Sequence, residues 1–242
     1  MKTQKNTKNA KKIKSDWIDR GRYWEHTAKQ GSQKWLESRV GRNTTTTSGG
    51  LAGKSPFKTI EQTGKIIAGV EKEVFSDDSL KHMARGTENE PKMRKWVENT
   101  LKCKVIERGL CVLKSDIRLG ASIDGEIVGE DILIEIKCPA NMYRGLNDYT
   151  NSISHGWRPP SGYYEHILPT HYWQMMQACF ILGKSACIYV VYCVTTEQVF
   201  KQKVFFDIDI WNAHYAIIST NYEKYVTPYL KEGYPINPSD EK

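Results

Sequence analysis

One strand that carries two opposite charges on the same face constrains this chain more than any other feature. Residues 131–137 read Asp-Ile-Leu-Ile-Glu-Ile-Lys, and three of the seven are β-branched isoleucines, which favour a β-strand. Side chains alternate between the two faces of a strand, so Glu135 and Lys137 share one face while the isoleucines point to the other. The sequence therefore predicts a carboxylate and an ammonium held side by side on an otherwise apolar strand.

A second carboxylate precedes this strand in a turn. Asp124 is followed by Gly125, a pair that is typical of tight turns. Three strand candidates follow one another closely, at 104–113, 116–123 and 131–137. The pattern predicts an antiparallel meander, in which the turn returns Asp124 to the sheet edge where Glu135 lies.

Two carboxylates at one edge can hold a hard divalent cation through oxygen. Such a cation activates water and neutralises the charge that develops on a phosphodiester during hydrolysis. Lys137 could orient the attacking water or stabilise the oxyanion. The same residues also fit a solvated strand face with a surface salt bridge, and taken alone the pattern leaves both interpretations open.

The rest of the chain predicts helices around a sheet. The periodicity of apolar residues indicates helices at 33–40, 88–101, 170–182 and near 208–230, and strands at 186–194 and 198–206. The strand at 186–194 is continuously apolar, which is typical of a central strand covered on both faces. Residues 41–56, rich in Thr, Gly and Ser, predict a loop without the GxxxxGK[ST] pattern of an ATP-binding loop. The elements predict an α/β fold with a mixed central β-sheet flanked by helices.

The positive charge of the chain is concentrated at its N-terminus. The net charge is +7, but residues 1–15 contain six lysines and no acid, which leaves 29 basic and 28 acidic residues elsewhere. This composition predicts a disordered basic tail at 1–15, with DNA contact or nuclear targeting as the alternative, and one folded domain at 16–242. Because the body is nearly neutral, net charge gives only weak support for a nucleic-acid partner.

Cysteine placement and hydropathy bear on the compartment. The six cysteines contain no CxxC pair, and several lie in apolar runs, so we expect small buried side chains rather than disulfides. No run approaches the roughly 18 consecutive apolar residues of a membrane span, and the N-terminal lysines are not followed by the apolar stretch of a signal peptide. We therefore expect a soluble, intracellular protein with no membrane partner.

An ordered set of short motifs gives the chain a family resemblance. In chain order these are Trp35-xxx-Arg39-x-Gly41, Gly53-Lys54-Ser55-Pro56, Gly86-xxx-Glu90-Pro91, Ser122-Ile123-Asp124-Gly125, Glu135-Ile136-Lys137-Cys138-Pro139 and Gln174-x-x-Gln177. Across about residues 30–195 the set resembles the phage lambda exonuclease and YqaJ-type viral recombinase family of the PD-(D/E)XK nuclease superfamily. The combination is far more specific than any single motif. It implies a restriction-endonuclease-like core.

The resemblance implies a metal-dependent active site. Asp124 and Glu135 match the family's metal ligands, with the backbone carbonyl of Ile136 as a possible third ligand, and Lys137 matches its catalytic lysine. Glu90 matches a helix-borne acid that helps to complete the metal site. The implied cofactor is a pair of Mg²⁺ ions, for which Mn²⁺ could substitute.

Four further residues match functional positions of the family. Gln174 matches a glutamine of the active site that follows a long loop; a surface glutamine is the alternative. Arg39 and Ser122 match a pocket for a terminal 5′-phosphate, which suits an arginine fork with hydroxyl donors, although a helix-surface arginine is the alternative for Arg39. Thr46 is a looser candidate, since the family usually has Ser there and four threonines in a row, 44–47, obscure the register.

The implied function is exonucleolytic. The resemblance implies hydrolysis of linear double-stranded DNA from 5′ to 3′, leaving 3′ single-stranded tails for viral or phage recombination. It also implies a ring-shaped homotrimer and a single-strand annealing protein as partner. The implied location is the cytoplasm of the cell that hosts the phage or virus, with the nucleus possible.

Three rival functions stay in view. The first two are nucleases of the same superfamily, an endonuclease and an iron–sulfur enzyme. The iron–sulfur enzyme needs four thiolate ligands, and no cysteine precedes Cys103. The third is a DNA-end binding module that has lost catalysis. The intact Asp124, Glu135 and Lys137 argue against it, since a decayed site would be expected to lose at least one of them.

The chain also departs from the family pattern. The segment 139–169 is longer than its counterpart in lambda exonuclease, which puts the substrate channel and any subunit contact in doubt. Asp116 lies near the spacing of an additional family acid but does not match it, so we do not count it as a ligand. His171 is expected to be structural or substrate-facing rather than a zinc ligand.

Overall fold

Ten strands form two mixed five-stranded sheets in the part of the chain that the computed structural model describes, residues 15–140 and 167–240. Helices flank the sheets, so the predicted α/β class is confirmed, although its strands are divided between two sheets rather than gathered in one. The predicted tail falls outside the described residues except for Ser15, and so does most of the long segment 139–169.

The first sheet has the strand order β1-β2-β5-β6-β3. Its strands are β1 (Trp17–Asp19), β2 (Tyr23–His26), β3 (Asn43–Thr44), β5 (Cys111–Leu113) and β6 (Leu119–Ala121). Neighbouring strands are antiparallel except β3 and β6, which are parallel.

The second sheet has the strand order β10-β9-β8-β7-β4. Its strands are β4 (Val105–Ile106), β7 (Gly125–Ile127), β8 (Ile132–Lys137), β9 (Ala186–Tyr192) and β10 (Val199–Phe205). The two central strands, β8 and β9, are parallel and the other pairs are antiparallel.

Six helices and one short 3-10 helix are found in the described residues. They are α1 (Gln33–Ser38), α2 (Thr45–Leu51), α3 (Ile60–Ile67), α4 (Asp77–Leu101), α5 (Pro169–Leu182), α6 (Ile208–Tyr225) and a 3-10 turn at Thr227–Tyr229. Helix α4 begins at Asp77, well before the predicted start at 88. The prediction missed its first turns because they are exposed and show no apolar stripe. No helix among these residues has the length and apolarity needed to cross a membrane.

The predicted antiparallel meander is wrong in part, because β5 and β6 pair antiparallel but β8 lies in the other sheet. Residues 104–113 do not form one strand, because the chain leaves the second sheet after β4 and joins the first sheet at β5. At Gly109 between them the backbone passes so close to β2 that an added Cβ would lie 1.9 Å from the His26 carbonyl oxygen. The break is thus a close backbone crossing between sheets, which alternation of apolar residues cannot reveal.

The predicted loop at 41–56 is also wrong in part, because it contains β3 and α2. Gly and Thr are weak helix formers, but α2 is buried and the small residues let it pack closely. A Cβ added at Gly50 would lie 2.8 Å from Thr63 Oγ1 of α3, and one at Gly49 would lie 3.3 Å from Thr170 of α5. Tertiary packing therefore overrides the local propensity.

Two hydrophobic layers cover the faces of the second sheet. On one face, Met93 and Val97 of α4 pack with Ile134 and Ile136. On the other face, Leu133 packs with residues of α5 and α6. The alternation predicted for 131–137 is present, and Glu135 and Lys137 lie on the α5 side. The six cysteines are all free, and five of them are buried, as the sequence predicted.

Candidate active site

The end of β8 extends past the strand that pairs with it. Strand β7 begins at Gly125, opposite Ile134, so the Ile136 N–H has no ladder partner on that side. The Asp124 carboxylate replaces the missing strand partner, and its Oδ2 accepts a hydrogen bond of 2.7 Å from the Ile136 N–H. Since the N–H and C=O of one strand residue point to the same side, the Ile136 carbonyl oxygen faces the same edge.

Lys137 and Glu135 form an ion pair on the α5 side of β8. The Glu135 side chain is almost wholly buried, and Lys137 is only partly exposed. An ion pair that is removed from water is stronger than a surface pair, but it carries a desolvation cost. The alternative interpretation, a surface salt bridge on a solvated strand face, therefore does not describe this pair.

Burial and nearby negative charge raise the pKa values of both carboxylates. Burial raises the pKa of Glu135 to about 7, against the opposing effect of Lys137, and the negative charge of Asp124 adds to the rise. Burial likewise raises the pKa of Asp124 above its ordinary value. For Lys137 burial lowers the pKa, but the two carboxylates outweigh it and the net shift is upward. The single positive charge of Lys137 therefore does not balance the two carboxylates of Asp124 and Glu135.

Helix α4 anchors both ends of this edge. Arg94 donates a 3.1 Å hydrogen bond to the Asp124 carbonyl oxygen, and Arg85 Nε donates one of 2.9 Å to the Cys138 carbonyl oxygen, directly after Lys137. Glu90 lies between these arginines on the helix. Burial raises its pKa, and the charge of Asp124 contributes, so the two carboxylates lie within electrostatic reach of each other.

The donor set is suited to a hard divalent cation. In residues 15–140 and 167–240 no three His, Cys, Asp or Glu side chains converge closely enough to hold a metal between them. The edge instead offers the Asp124 and Glu135 carboxylates with the Ile136 carbonyl, all oxygen donors of the kind that Mg²⁺ and Mn²⁺ prefer. The two buried carboxylates disfavour each other's ionised form, and a bound cation would remove that penalty.

A second cluster gathers the three residues predicted for a 5′-phosphate. Arg39 donates hydrogen bonds of 2.8 Å to Thr46 Oγ1 and 2.9 Å to Thr44 Oγ1. Within the described residues its side-chain hydrogen bonds go to these hydroxyls and none goes to a carboxylate. Burial lowers the pKa of Arg39, although an arginine stays charged throughout the physiological range. Thr46 is exposed while Thr44 is buried, so Thr46 is the hydroxyl open to a ligand.

Trp35 joins Ser122 to this cluster, a role that the sequence did not assign. Its indole N–H donates a 3.1 Å hydrogen bond to Ser122 Oγ, and the Arg39 guanidinium lies 4.2 Å from the centre of its ring. The sequence could have indicated the contact between Trp35 and Arg39, since residues four apart on a helix are neighbours.

The two clusters are adjacent in the chain. Ser122 follows the first sheet and Asp124 precedes the second, so the link between the sheets carries one residue of each cluster. Two residues of extended chain span at most about 7 Å. The connection therefore brings Ser122 of the Arg39 cluster within about 7 Å of Asp124, Cα to Cα.

Helix α5 carries two glutamines with different environments. Gln177 is fully buried and donates to the backbone oxygens of Asn43 and Gly120 at 2.8 and 3.0 Å, which ties β3 and β6 to the helix. Gln174 is half-buried, and its Oε1 is buried without a hydrogen-bond partner among the described residues. The Gln174 Oε1 is therefore an acceptor that no described residue uses.

His171 and Asp116 have structural partners. His171 Nδ1 lies 2.8 Å from the hydroxyl of Tyr189 on β9. Asp116 is held by Arg118 at 2.7 Å and by Tyr215 at 2.6 Å. Both groups are therefore engaged within the fold, and no zinc-type cluster includes His171 in the residues described.

The sequence comparison assigns the family. A profile of the YqaJ-like viral recombinase domain matches residues 34–183, more than half of the chain. The chain belongs to this family. The matched region contains both clusters and α5. It confirms the resemblance inferred from the motifs, and with it the assignment of the chain as a nuclease that acts on DNA. No curated protein sequence gives a significant match.

Solved structures share the fold. An alkaline exonuclease from Laribacter hongkongensis is 22% identical with a TM-score of 0.60, and the match covers 82% of this chain and 94% of that one. The same enzyme in complex with dAMP has a TM-score of 0.62. A phage-related exonuclease from Haemophilus somnus 129PT is 10% identical with a TM-score of 0.53. That match covers 77% of this chain and 94% of the other. At these identities the likeness shows the fold alone.

Proposed function

We propose that the protein is a Mg²⁺-dependent exonuclease that hydrolyses linear double-stranded DNA from 5′ to 3′ and leaves 3′ single-stranded tails for recombination. One observation carries the proposal. Ser122, which hydrogen-bonds to Trp35 beneath Arg39, lies two residues before Asp124, so groups suited to a terminal phosphate and groups suited to phosphodiester hydrolysis are joined by one short segment. Two solved structures with this fold are exonucleases, which supports the proposal.

The carboxylate edge is the proposed metal site. Asp124, Glu135 and the Ile136 carbonyl would hold the metal, and Glu90 on α4 would complete the set for two Mg²⁺ ions or for Mn²⁺ in their place. When bound, these ions supply an activated water and neutralise charge on the phosphate. The donor chemistry and the shortage of positive charge between Asp124 and Glu135 support this assignment.

The protein side chains have separate tasks in the proposed reaction. Lys137, paired with Glu135, orients the attacking water and stabilises negative charge on the phosphoryl oxygens. Gln174 offers its Oε1, which has no partner among the described residues, to the water or to the substrate. Arg39, Thr46 and Ser122 bind the 5′-phosphate, because a guanidinium fork with hydroxyls matches a phosphate dianion.

The proposed assembly and partners follow from the family. We propose a ring-shaped homotrimer that encloses the DNA, and a single-strand annealing protein that takes up the 3′ tail. The proposed location is the cytoplasm of the cell that hosts the phage or virus, with the nucleus as the alternative. Family membership supports these assignments.

A comparison of DNA forms tests the proposed function. With Mg²⁺, we expect the protein to digest an end-labelled linear duplex and to leave a covalently closed circle of the same sequence intact, because only the linear form offers a terminal phosphate to Arg39. Loss of a 5′ label before a 3′ label would support the polarity. Equal cleavage of the closed circle would replace the exonuclease by an endonuclease.

The metal requirement forms a second prediction. Digestion should require Mg²⁺ or Mn²⁺ and should fail with Ca²⁺, whose longer metal–oxygen distances suit binding better than in-line attack. Binding of labelled duplex, measured by fluorescence anisotropy, should persist in Ca²⁺. Undiminished digestion in excess chelator would refute the metal mechanism.

A further inference from the structure

A tyrosine and a histidine beside Lys137 have no task in the reaction described so far. Tyr189 lies on β9 directly opposite Glu135, and in parallel register the two side chains share a face of the sheet. The Tyr189 hydroxyl lies 2.8 Å from His171 Nδ1, and the two rings lie 5.8 Å apart. The charge of Lys137 acts on both groups. The pair thus borders the catalytic face of β8.

The environment fixes which group donates in this hydrogen bond. Tyr189 is only 3% exposed, and in the described residues its hydroxyl hydrogen-bonds to His171 Nδ1 and to nothing else. If Nδ1 carried the proton, the phenol O–H would be buried without an acceptor, which proteins strongly avoid. The nearby positive charge of Lys137 also attracts the phenol oxygen rather than its proton. Tyr189 therefore donates and Nδ1 accepts.

This direction determines the other ring nitrogen. Burial and the charge of Lys137 lower the pKa of His171 well below its ordinary value, so the ring is neutral at pH 7. A neutral imidazole that accepts at Nδ1 carries its proton at Nε2. Nε2 has no hydrogen-bond partner in residues 15–140 and 167–240. His171 is only partly buried, so within the described residues its ring carries a donor that the fold does not use.

We propose that His171 is a further DNA-binding residue, whose Nε2–H donates to a non-bridging phosphate oxygen of the hydrolysed strand beside Lys137, and that Tyr189 is the positioning residue that fixes this tautomer. The identity of the ligand rests on the proposed nuclease function. An anionic oxygen is the natural partner, because a neutral N–H next to an ammonium favours a negatively charged acceptor.

The tautomer can be tested without DNA. In the full-length protein labelled with ¹⁵N at histidine, the imidazole nitrogens of His171 should show the neutral Nε2–H form at pH 7, with the signals assigned from their absence in His171→Gln. Tyr189→Phe removes the donor to Nδ1 and should shift the ring toward a mixture of tautomers. A predominant Nδ1–H form in the wild type would overturn the proposal.

The contact with DNA is tested by graded replacements. Glutamine places its amide near the position of Nε2, whereas asparagine reaches only as far as Nδ1. His171→Ala and His171→Asn should weaken duplex binding in Ca²⁺ by about tenfold or more, as for other hydrogen bonds to charged groups, and His171→Gln should recover most of the loss. His82→Ala, which removes an exposed histidine of α4, serves as the matched control. Thermal unfolding of each variant checks that it is folded.

The outcomes separate this inference from the function on which it rests. If the wild type digests linear duplex but all three His171 variants bind it as tightly as the wild type, the inference is wrong and the function stands. If the wild type neither digests nor binds duplex, the proposed function fails, and the assignment of phosphate as the ligand fails with it. The tautomer experiment depends on neither DNA binding nor DNA digestion.

Discussion

Lys137→Ala should leave the protein folded and lower the rate of DNA digestion by about 10²- to 10³-fold, the usual cost of removing one group that stabilises a charged transition state. The substitution removes the ammonium that pairs with Glu135 and faces the carboxylate edge. Stability should fall only moderately, because Glu135, with its pKa already raised to about 7, can take up a proton instead of remaining charged. Initial rates on an end-labelled linear duplex measure the effect.

Lys184→Ala is the matched control for this variant. Lys184 pairs with Glu126 at 2.9 Å, and both pairs are largely buried, with lysine side chains 16% exposed in the control pair and 27% in the site pair. The control removes a buried lysine that also contacts the Glu130 carbonyl, at the end of β8 opposite Lys137, so its digestion rate should stay near that of the wild type. If Lys137→Ala digests DNA within a few-fold of wild type, the motif is not the active site.

Arg39→Ala should erase the preference for phosphorylated ends. A 5′-phosphate carries more charge than an internal phosphodiester, and the guanidinium is free of carboxylate partners in the described region. A hydrogen bond to a charged group contributes roughly 1.5 to 3 kcal/mol, so the wild type should digest 5′-phosphorylated duplex about 10- to 150-fold faster than 5′-hydroxyl duplex. In the variant the ratio should approach one, while hydroxyl ends are still digested slowly.

Two further variants make this result specific. Arg39→Lys keeps the charge but lacks the planar fork, so it should restore only part of the preference. Arg22→Ala removes another arginine that lies over an aromatic ring, Phe180 at 5.4 Å, away from both clusters, and should leave the ratio unchanged. Equal loss of activity on both substrates in Arg39→Ala would make Arg39 structural or catalytic rather than a reader of the 5′ end.

Local periodicity was enough to predict the two faces of β8, the strand on which we propose the active site. Alternation over 131–137 placed Glu135 and Lys137 on one face and the isoleucines on the other, and the structure has that arrangement. Gly125 is the first residue of β7 rather than part of the predicted turn, but Asp124 does lie at the edge of β8, where it accepts from the Ile136 N–H. These features depend on residues close in the chain, and the period of a strand is fixed by its backbone geometry.

Spacing along a helix was partly informative. Arg39 and Trp35 are four residues apart, and this spacing brings the guanidinium over the indole. The link from Trp35 to Ser122 crosses 87 positions of sequence, and no local pattern signals it. The two glutamines of α5 show the same limit, because Gln177 is buried by contacts to β3 and β6 while Gln174 is not.

The chain's local patterns thus account for which residues carry charge on which face, and its motifs account for the family. They do not account for the division of the strands between two sheets, the buried helix α2 within a Gly- and Thr-rich segment, or the Tyr189–His171 hydrogen bond beside Lys137. Each of these depends on the close approach of segments distant in sequence, where packing and the need to pair buried polar groups outweigh local propensity. Such contacts exist only once the chain has folded, so only the tertiary structure contains them.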